Sequence, residues 1–499
     1  MASGLSQLSK AWKIAISSKP LLIIVAGLLI FTLIESQNFI LPSVISSIQI
    51  PIQLGQTMFQ PAVLDSSNTT ETNSTTPVSQ AKKIWTLSDM DDLLSKNRAS
   101  PQIQIPHWPS KVDQQMLYAR KEVENAPSIL KDEQQFYKPI YRNLSTFKRS
   151  YELMEKILKV YVYIEGKKPV FHEPFYGGLY ASEGWFMKQM EESAEFRVDD
   201  PSMAHLFYLP FSSKNLRKTY CPPGTHSKRI MIRHLDNFTE LVSTKYPYWN
   251  RTDGTDHFLT GCHDWAHKVT EKSSMHIAIR ALCTSDMNLG FEIGKDVPLP
   301  ATKIRYSAHP QFNIGGKPAE ERTTLAFFAG HIGGKSVRLS LVEYWENKDP
   351  KMVITGALPP LMKVINSSTN KPMMLNSYVH YMKSSKFCIS PRGFEVWSPR
   401  LMEAIFYGCV PVILSDNFVP PLFEVLNWSE FSVILPEKDV PKLRQALMDI
   451  PHWRYLELER GVREVRRHFV WNTNPVKYDI FHMILHSVWL NRLYQISTQ

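Results

Sequence analysis

Between Lys386 and Leu414 the chain reads KFCISPRGFEVWSPRLMEAIFYGCVPVIL, and no other stretch narrows the choice of fold as much. Lys386-Phe387-Cys388-Ile389 is a short apolar run that suits a buried strand. Ser390-Pro391-Arg392-Gly393 is turn chemistry, because Pro fixes φ and Gly permits close backbone approach. From Pro399 the apolar positions take helical spacing, with Leu401, Ala404 and Ile405 on one face and Pro399 suited to the first turn. Gly408 stops that helix, and Val410 to Leu414 is the next β-rich run. Strand, loop, helix and strand make a βαβ unit, so the fold class is α/β with a parallel sheet. The loop and helix start then lie at the carboxyl edge of the sheet. Open α/β sheets bind ligands there, and a helix N-terminus favours anions.

The polar residues sit where that geometry would use them. Arg392, Gly393, Glu395, Ser398, Arg400 and Glu403 crowd the loop and the first helical turns. Guanidinium groups suit a diphosphate, and carboxylates suit ribose and sugar hydroxyls, which is the mixture a nucleotide-sugar needs. The plainer alternative is a solvated loop followed by ordinary helix-surface charges. The cluster inside a βαβ frame favours a site.

The 499 residues allow two or three domains. Lys and Arg exceed Asp and Glu by 57 to 47, yet no run of five like charges occurs. The surplus is dispersed, which fits anionic ligands and argues against a nucleic-acid stripe. Lys10, Lys13 and Lys19 precede LLIIVAGLLIFTLI at 21–34, with no acid before Glu35. That run has the length of a signal-peptide core, but no small-x-small cleavage site follows and apolar flanks extend it. It reads as a signal-anchor helix over 21–41 behind a cytosolic tail of 1–20, leaving the rest lumenal. A cleaved signal would give a secreted protein and the same lumenal exposure. Seven N-x-S/T sequons fit that exposure: Asn68, Asn73, Asn143, Asn237, Asn250, Asn366 and Asn427.

Residues 42–150 read as a lumenal stem, with helical patches between Leu87 and Leu144 and no βα alternation. Asp89-Met90-Asp91 has the D-x-D spacing of a metal–diphosphate site. A strand should precede it, whereas Thr86-Leu87-Ser88 is more like a helix cap, so the metal reading is set aside.

A first domain over 151–320 opens on strand Ile157–Ile164, then helix Trp185–Glu192, strand Ala204–Leu209, helix Arg233–Lys245 and strand Asp256–Thr260. Gly261-Cys262-His263-Asp264-Trp265 follows that last strand, and a His263–Asp264 pair there could supply a general base for an acceptor hydroxyl. Alternatively Asp264 caps the next turn and His263 packs. Glu183 in the Ser182-Glu183-Gly184 turn is a second carboxylate candidate. Five cysteines cannot all pair; one bond among Cys221, Cys262 and Cys283 is plausible in the lumen. Cys388 and Cys409 are expected at opposite edges of the sheet and therefore unbonded. His263/His267 and His482/His486 have the i, i+4 spacing of a zinc pair but lack a third ligand, so no metal is assigned.

A linker from Pro298 to Glu321 leads to a second domain over 321–499. It begins with strand Thr324–Phe328 and the turn Ala329 to Ser336, a near P-loop with Ala329 where the first Gly should stand. That departure weighs against an ATPase, but a glycine turn carrying Lys335 and Arg338 into a helix still suits a diphosphate. Strands Met352–Thr355 and Phe431–Leu435 and helices Val440–Ile450, Pro451–Phe469 and Tyr478–Leu493 complete the chain.

The string SPRGFEVWSPRLMEAIFYGCVPVIL resembles the donor-binding segment of the exostosin-type glycosyltransferases, especially their plant members. YASEGWFMKQME at 180–191, AHLFYLPF at 204–211, DHFLTGCHDW at 256–265, LAFFAGHIGGKSVR at 325–338 and RRHFVWNTNPVKYDIFHMILHSVWLNRL at 466–493 match as well. These motifs cover the chain from about residue 155 to its end. The resemblance implies a GT-B fold, two Rossmann-like domains facing a cleft. It also implies single-pass type II topology in the Golgi membrane and inverting, metal-independent sugar transfer to a cell-wall polysaccharide or glycan, with no cofactor. On that reading Asp264, with His263, deprotonates the acceptor. Lys335, Arg338, Arg392 and Arg400 hold the diphosphate, Glu403 holds ribose and Glu395 the transferred sugar. A complex with other glycosyltransferases is compatible with it. The rival is a non-catalytic lumenal glycan-binding or scaffolding protein of the same fold, which would bind no donor.

Overall fold

The computed structural model describes residues 83–99, 105–129, 135–221, 224, 227–333, 336–365 and 372–496. The anchor at 21–41, the cytosolic tail, Asn68, Asn73, Lys335 and Asn366 lie outside them. Among the described residues no helix is long and apolar enough to cross a membrane.

Three helices come first: α1 (Leu87–Ala99), α2 (Lys111–Glu124) and α3 (Leu144–Ile157). A six-stranded sheet follows, built from β1 (Val160–Val162), β2 (Arg197–Val198), β3 (Leu206–Tyr208), β4 (His257–Gly261), β5 (Ile279–Leu282) and β6 (Val297–Pro298). Its order is β2-β1-β3-β4-β5-β6, and every pairing is parallel. Helices α4 (Ala181–Glu191), α5 (Ser213–Tyr220) and α6 (Arg229–Lys245) belong to this lobe. The second lobe has β7 (Thr324–Ala329), α7 (Val337–Trp345), β8 (Met352–Thr355), the hairpin β9 (Leu361–Ile365) and β10 (Pro372–Asn376), and α8 (Ser377–Ser384). It continues with β11 (Ser385–Pro391), α9 (Pro399–Phe406), β12 (Val410–Leu414), β13 (Val433–Ile434), α10 (His452–Val465) and α11 (Ile480–Gln495). Its sheet order is β13-β12-β11-β7-β8, again parallel throughout.

Parallel sheets are covered on both faces, so their strands are buried end to end rather than on alternate residues. The strands β4 and β12 are buried at every position. Helix α11 is buried almost throughout and packs on α2, α3, β5 and β6, so the chain ends on the first lobe. Several of its polar groups find partners there: His482 meets Asp479 at 2.8 Å, His486 meets Ser150 at 3.0 Å, and Asn491 donates to the Asp296 carbonyl at 3.1 Å.

Two expectations change. The described residues between Lys83 and Ser150 are body rather than stem. Val112, Met116, Ala119 and Val123 of α2 form a helical apolar stripe that is buried, and Met90 and Leu94 of α1 bridge Phe291 and Ile293 of the first lobe to Val419 and Phe423 of the second. Absence of βα alternation ruled out a sheet there, but not a helical cover. Second, Cys388 and Cys409 are disulfide-bonded, against the expectation that they are not. The strand begins at Ser385, so Cys388 is its middle, and the register Phe387↔Val410 sets Cys409 beside the same end of β11. In the first lobe Cys262 is bonded to Cys283, each standing one residue past the paired Gly261 and Leu282. Cys221 is buried outside both bonds.

Candidate functional site

The turn between β11 and α9 is built from its backbone outward. Pro399 opens α9, and the Ser398 side chain caps it by accepting from the Arg400 N–H at 3.4 Å. Arg400 then reaches across to the end of β7, donating to the Ala329 carbonyl from Nε at 3.0 Å and Nη2 at 2.8 Å. Its guanidinium lies so close to Gly330 that any Cβ there would collide with it. Gly393 bears the same relation to the Arg338 guanidinium. Arg338 donates to the His331 carbonyl at 3.2 Å, and its buried Nε has no partner among the described residues. Burial, and then the neighbouring Arg400 charge, pull the Arg338 pKa down to about 10. Neither arginine has an ion-pair partner among the described residues. Two guanidinium groups held by carbonyls beside two glycines form a place for an anion.

Glu403, one turn into α9, is buried. It is ion-paired to Arg305 and accepts from the Tyr378 hydroxyl at 2.6 Å. It lines a cavity of about 750 Å³ together with Arg305, His380, Phe406, Tyr407 and Trp471. Arg392 points elsewhere. Its guanidinium meets Asp286 at 3.4 Å and Glu437 at 3.8 Å, tying the second lobe to the loop after β5. Trp397 crosses the same gap, donating to Thr284 Oγ1 at 3.1 Å.

The opposing wall is the turn after β4. Glu183 lies in the first turn of α4, fully buried, and its carboxylate collects four donors. They are Ser212 Oγ at 2.8 Å, the Lys214 N–H at 3.1 Å, the Cys262 N–H at 2.7 Å and Ser213 Oγ. Ser213 Oγ in turn accepts from the His263 N–H at 3.0 Å. Burial raises the Glu183 pKa against those hydrogen bonds. This residue holds the turn and is shut off from substrate. His263 is held neutral, its pKa near 4, by burial and then by Arg217 and Lys214. Its Nδ1 accepts from the Trp265 N–H at 3.1 Å, so Nε2 carries the proton and His263 can only donate. Asp264 is half-buried, its pKa raised by burial, and it accepts from the Tyr180 hydroxyl at 3.2 Å.

Glu395 closes the gap. It is 6% exposed, and its carboxyl has no hydrogen-bond partner among the described residues. Burial first, then the Asp264 charge, push its pKa up to about 8. Tyr180 stacks edge-on to Trp397 with centroids 6.1 Å apart, which fixes the two walls against each other. Asp264 and Glu395 therefore lie near enough for the charge of one to act on the other, with the Tyr180 hydroxyl on Asp264 and the Trp397 indole against the Tyr180 ring.

Of the residues singled out from the sequence, Asp264, His263, Gly393, Glu395, Ser398, Arg400, Arg338 and Glu403 gather on the two walls and the adjoining cavity. Arg392 is a strut between them, and Lys335 lies outside the described residues. Tyr180, Asp286, Arg305, Tyr378 and Trp397 were missed. Each is one polar or aromatic residue in a loop or helix start, with no spacing to mark it. Asp89 and Asp91 sit in α1, the first capped against Thr86 and the second 2.6 Å from Arg142, not after a strand. No group of three His, Cys, Asp or Glu that could hold a metal occurs among the described residues. Asn143, Asn237 and Asn250 are exposed, and Asn427 is half-buried with its side chain accepting from Ser429 at 2.7 Å.

Comparison with known proteins adds to this geometry. The Exostosin GT47 domain matches residues 154–450. A probable glycosyltransferase of Arabidopsis thaliana is 42% identical over 71% of this chain and 73% of its own. A probable beta-1,4-xylosyltransferase of the same plant is 29% identical over 66% of this chain and 81% of its own. A probable glucuronosyltransferase of Oryza sativa subsp. japonica is 30% identical over 66% and 80% respectively.

Proposed function

This chain is a glycosyltransferase of the exostosin GT47 family, and from that premise we propose that it moves a sugar from a nucleotide-sugar to a glycan acceptor in the crevice between its two lobes. The observation that carries the reading is the coupled pair Asp264 and Glu395, with the carbonyl-held guanidinium of Arg338 against Gly393 of the Glu395 turn and that of Arg400 against Gly330. The architecture is taken as GT-B. The donor diphosphate lies between Gly330 and Gly393 against those two arginines, and its nucleoside reaches Glu403 and the cavity beyond. Asp264 takes the proton from an acceptor hydroxyl, and the freed oxygen bonds to the anomeric carbon. The bond from that carbon to the β-phosphate oxygen breaks with inversion. Arg338 and Arg400 neutralise the departing diphosphate, the task a divalent cation performs in other transferases. Tyr180 and the Nε2–H of His263 donate hydrogen bonds around Asp264, and Glu395 holds the transferred sugar.

The relatives named for xylosyl and glucuronosyl transfer support a pentosyl or hexosyl donor and a cell-wall polysaccharide as acceptor. The apolar run at 21–34 supports a Golgi type II anchor with the lobes in the lumen. The test is to incubate the full chain with a panel of nucleotide-sugars and cell-wall oligosaccharides, following acceptor mass and donor binding by calorimetry. A mass gain of one sugar is expected, falling sharply in Glu403→Ala when the donor is below saturation. A protein that binds no nucleotide-sugar would instead be the non-catalytic glycan binder.

A further inference from the structure

We infer that the acceptor is a polyanionic glycan, bound along the first-lobe rim of the crevice by Lys214, Arg217, Lys218, Lys228 and Lys268. The inference rests on the glycosyltransfer reading and names the substrate class of its acceptor side. Lys214 and Arg217 of α5 act on His263, Arg217 and Lys228 lie over Trp265, Lys268 follows Asp264, and Lys218 stands next to Arg217 on α5, close enough for its charge to act on Lys214. Arg217 and Lys214 help hold His263 neutral, and Lys268 acts on Glu395. None of the five has a carboxylate partner among the described residues, whereas nearby Arg251, Lys245 and Lys295 are all paired.

An aromatic ring lies in the middle of this patch. Arg217 Cζ stands 4.6 Å and Lys228 Nζ 4.1 Å from the centre of the half-exposed Trp265 ring. Lys214 Nζ stands 2.6 Å from the centre of Phe175. Sugars stack on such rings through their C–H faces, while cations beside the rings select anionic groups on the same sugar chain. The second-lobe cation Arg392, by contrast, is already taken, since its guanidinium meets Asp286 and Glu437.

The experiment uses the full chain in three binding arms: polygalacturonate, its methyl ester, and dextran sulfate against dextran. Polygalacturonate is expected to bind about tenfold or more tighter than its uncharged ester, with the preference fading between ~0.05 and ~0.5 M salt. The double variant Lys218→Glu/Lys228→Glu should lose about tenfold in that binding, with donor binding and Tm unchanged. The control Lys348→Glu, on the exposed far side of the second lobe, should behave as wild type. Dextran sulfate binding as tightly as polygalacturonate would show that the rim reads charge alone. Binding confined to polygalacturonate would identify carboxylate as the recognised group. Equal binding of acid and ester, no polyanion binding, or an unaffected double variant would overturn the inference. Loss of all nucleotide-sugar binding would overturn the glycosyltransfer reading itself, whereas retained donor binding without charge preference would overturn only the acceptor class.

Discussion

The two lobes bring the same device to the crevice, a turn at the carboxyl edge of a parallel strand, and dress it with opposite charge. The turn after β4 presents the carboxylate of Asp264, and the turn after β11 leads to the guanidinium of Arg400. Their supports differ as well. Behind Asp264 stands a fully buried carboxylate, Glu183, gripping the Cys262 backbone and, through Ser213, that of His263. Arg400 is held instead by a helix cap, by two hydrogen bonds to one carbonyl and by the Phe328 ring beneath its guanidinium. A rigid turn suits proton transfer, which is steeply dependent on position, and a looser cationic cradle suits a flexible diphosphate.

The contrast breaks first at Asp264. Asp264→Asn removes the proton acceptor and leaves the cradle untouched, so kcat should fall by about 10²–10⁴-fold while donor affinity stays level. An equal fall in donor binding would dissolve the division of labour between the walls. Arg400→Ala should lower kcat/KM by about 10²–10³-fold, because charge develops on the leaving group in the transition state. If only acceptor KM responded, the cradle would have been assigned to the wrong substrate. Glu403→Ala should raise donor KM by about 10–100-fold with kcat largely kept, the cost of one charge-assisted hydrogen-bond set. A kcat effect without a KM effect would move Glu403 out of the nucleoside pocket.

The paired disulfides sharpen the comparison further. Both span 21 residues, so chain entropy assigns each about 3 kcal/mol of stability, and their removal should lower Tm alike. They differ in place. Cys262 is adjacent to His263 and Cys283 to Thr284, which meets Trp397, whereas Cys388 lies inside β11 away from the turn. Cys262→Ala/Cys283→Ala should therefore cost about tenfold in kcat beyond the stability loss. Cys388→Ala/Cys409→Ala should leave kcat of the folded fraction unchanged. Equal kcat in the two variants would mean that the first-lobe turn needs no covalent support.

The second lobe was readable because its strands are uninterrupted apolar runs: Met352–Thr355 was located to the residue, and β12 likewise. The first lobe hid more. Strand β5 is Ile279-Arg280-Ala281-Leu282, and a charge in its centre breaks the apolar signal. Only the fold reveals that Arg280 is buried against Asp296. The Cys388–Cys409 bond escaped for a related reason, since the first residues of β11, Ser385 and Lys386, are polar and the strand was started one residue late and ended two early. Binding residues that rest on a glycine and a helix start leave local traces. Those that act on residues far along the chain, such as Tyr180 on Asp264 or Arg305 on Glu403, are 84 and 98 residues from their partners and leave none.

The smallest expected effect decides which carboxyl on the facing walls carries the proton at working pH. Burial raises both Asp264 and Glu395, but Glu395 titrates at about 8 against an Asp264 that is already charged. At neutral pH Asp264 is therefore the base and Glu395 a neutral acid that donates to a sugar hydroxyl. The rate should climb as Asp264 loses its proton and decline near pH 8 as Glu395 becomes a second anion facing the first. Glu395→Gln keeps a donor and cannot ionise. It should change kcat at pH 7 by no more than about threefold and abolish the alkaline decline while leaving the acid limb in place. A decline that persists in Glu395→Gln would assign it to another group. An acid limb that shifts by a full unit would mean that the two carboxyls share one proton and titrate as a pair.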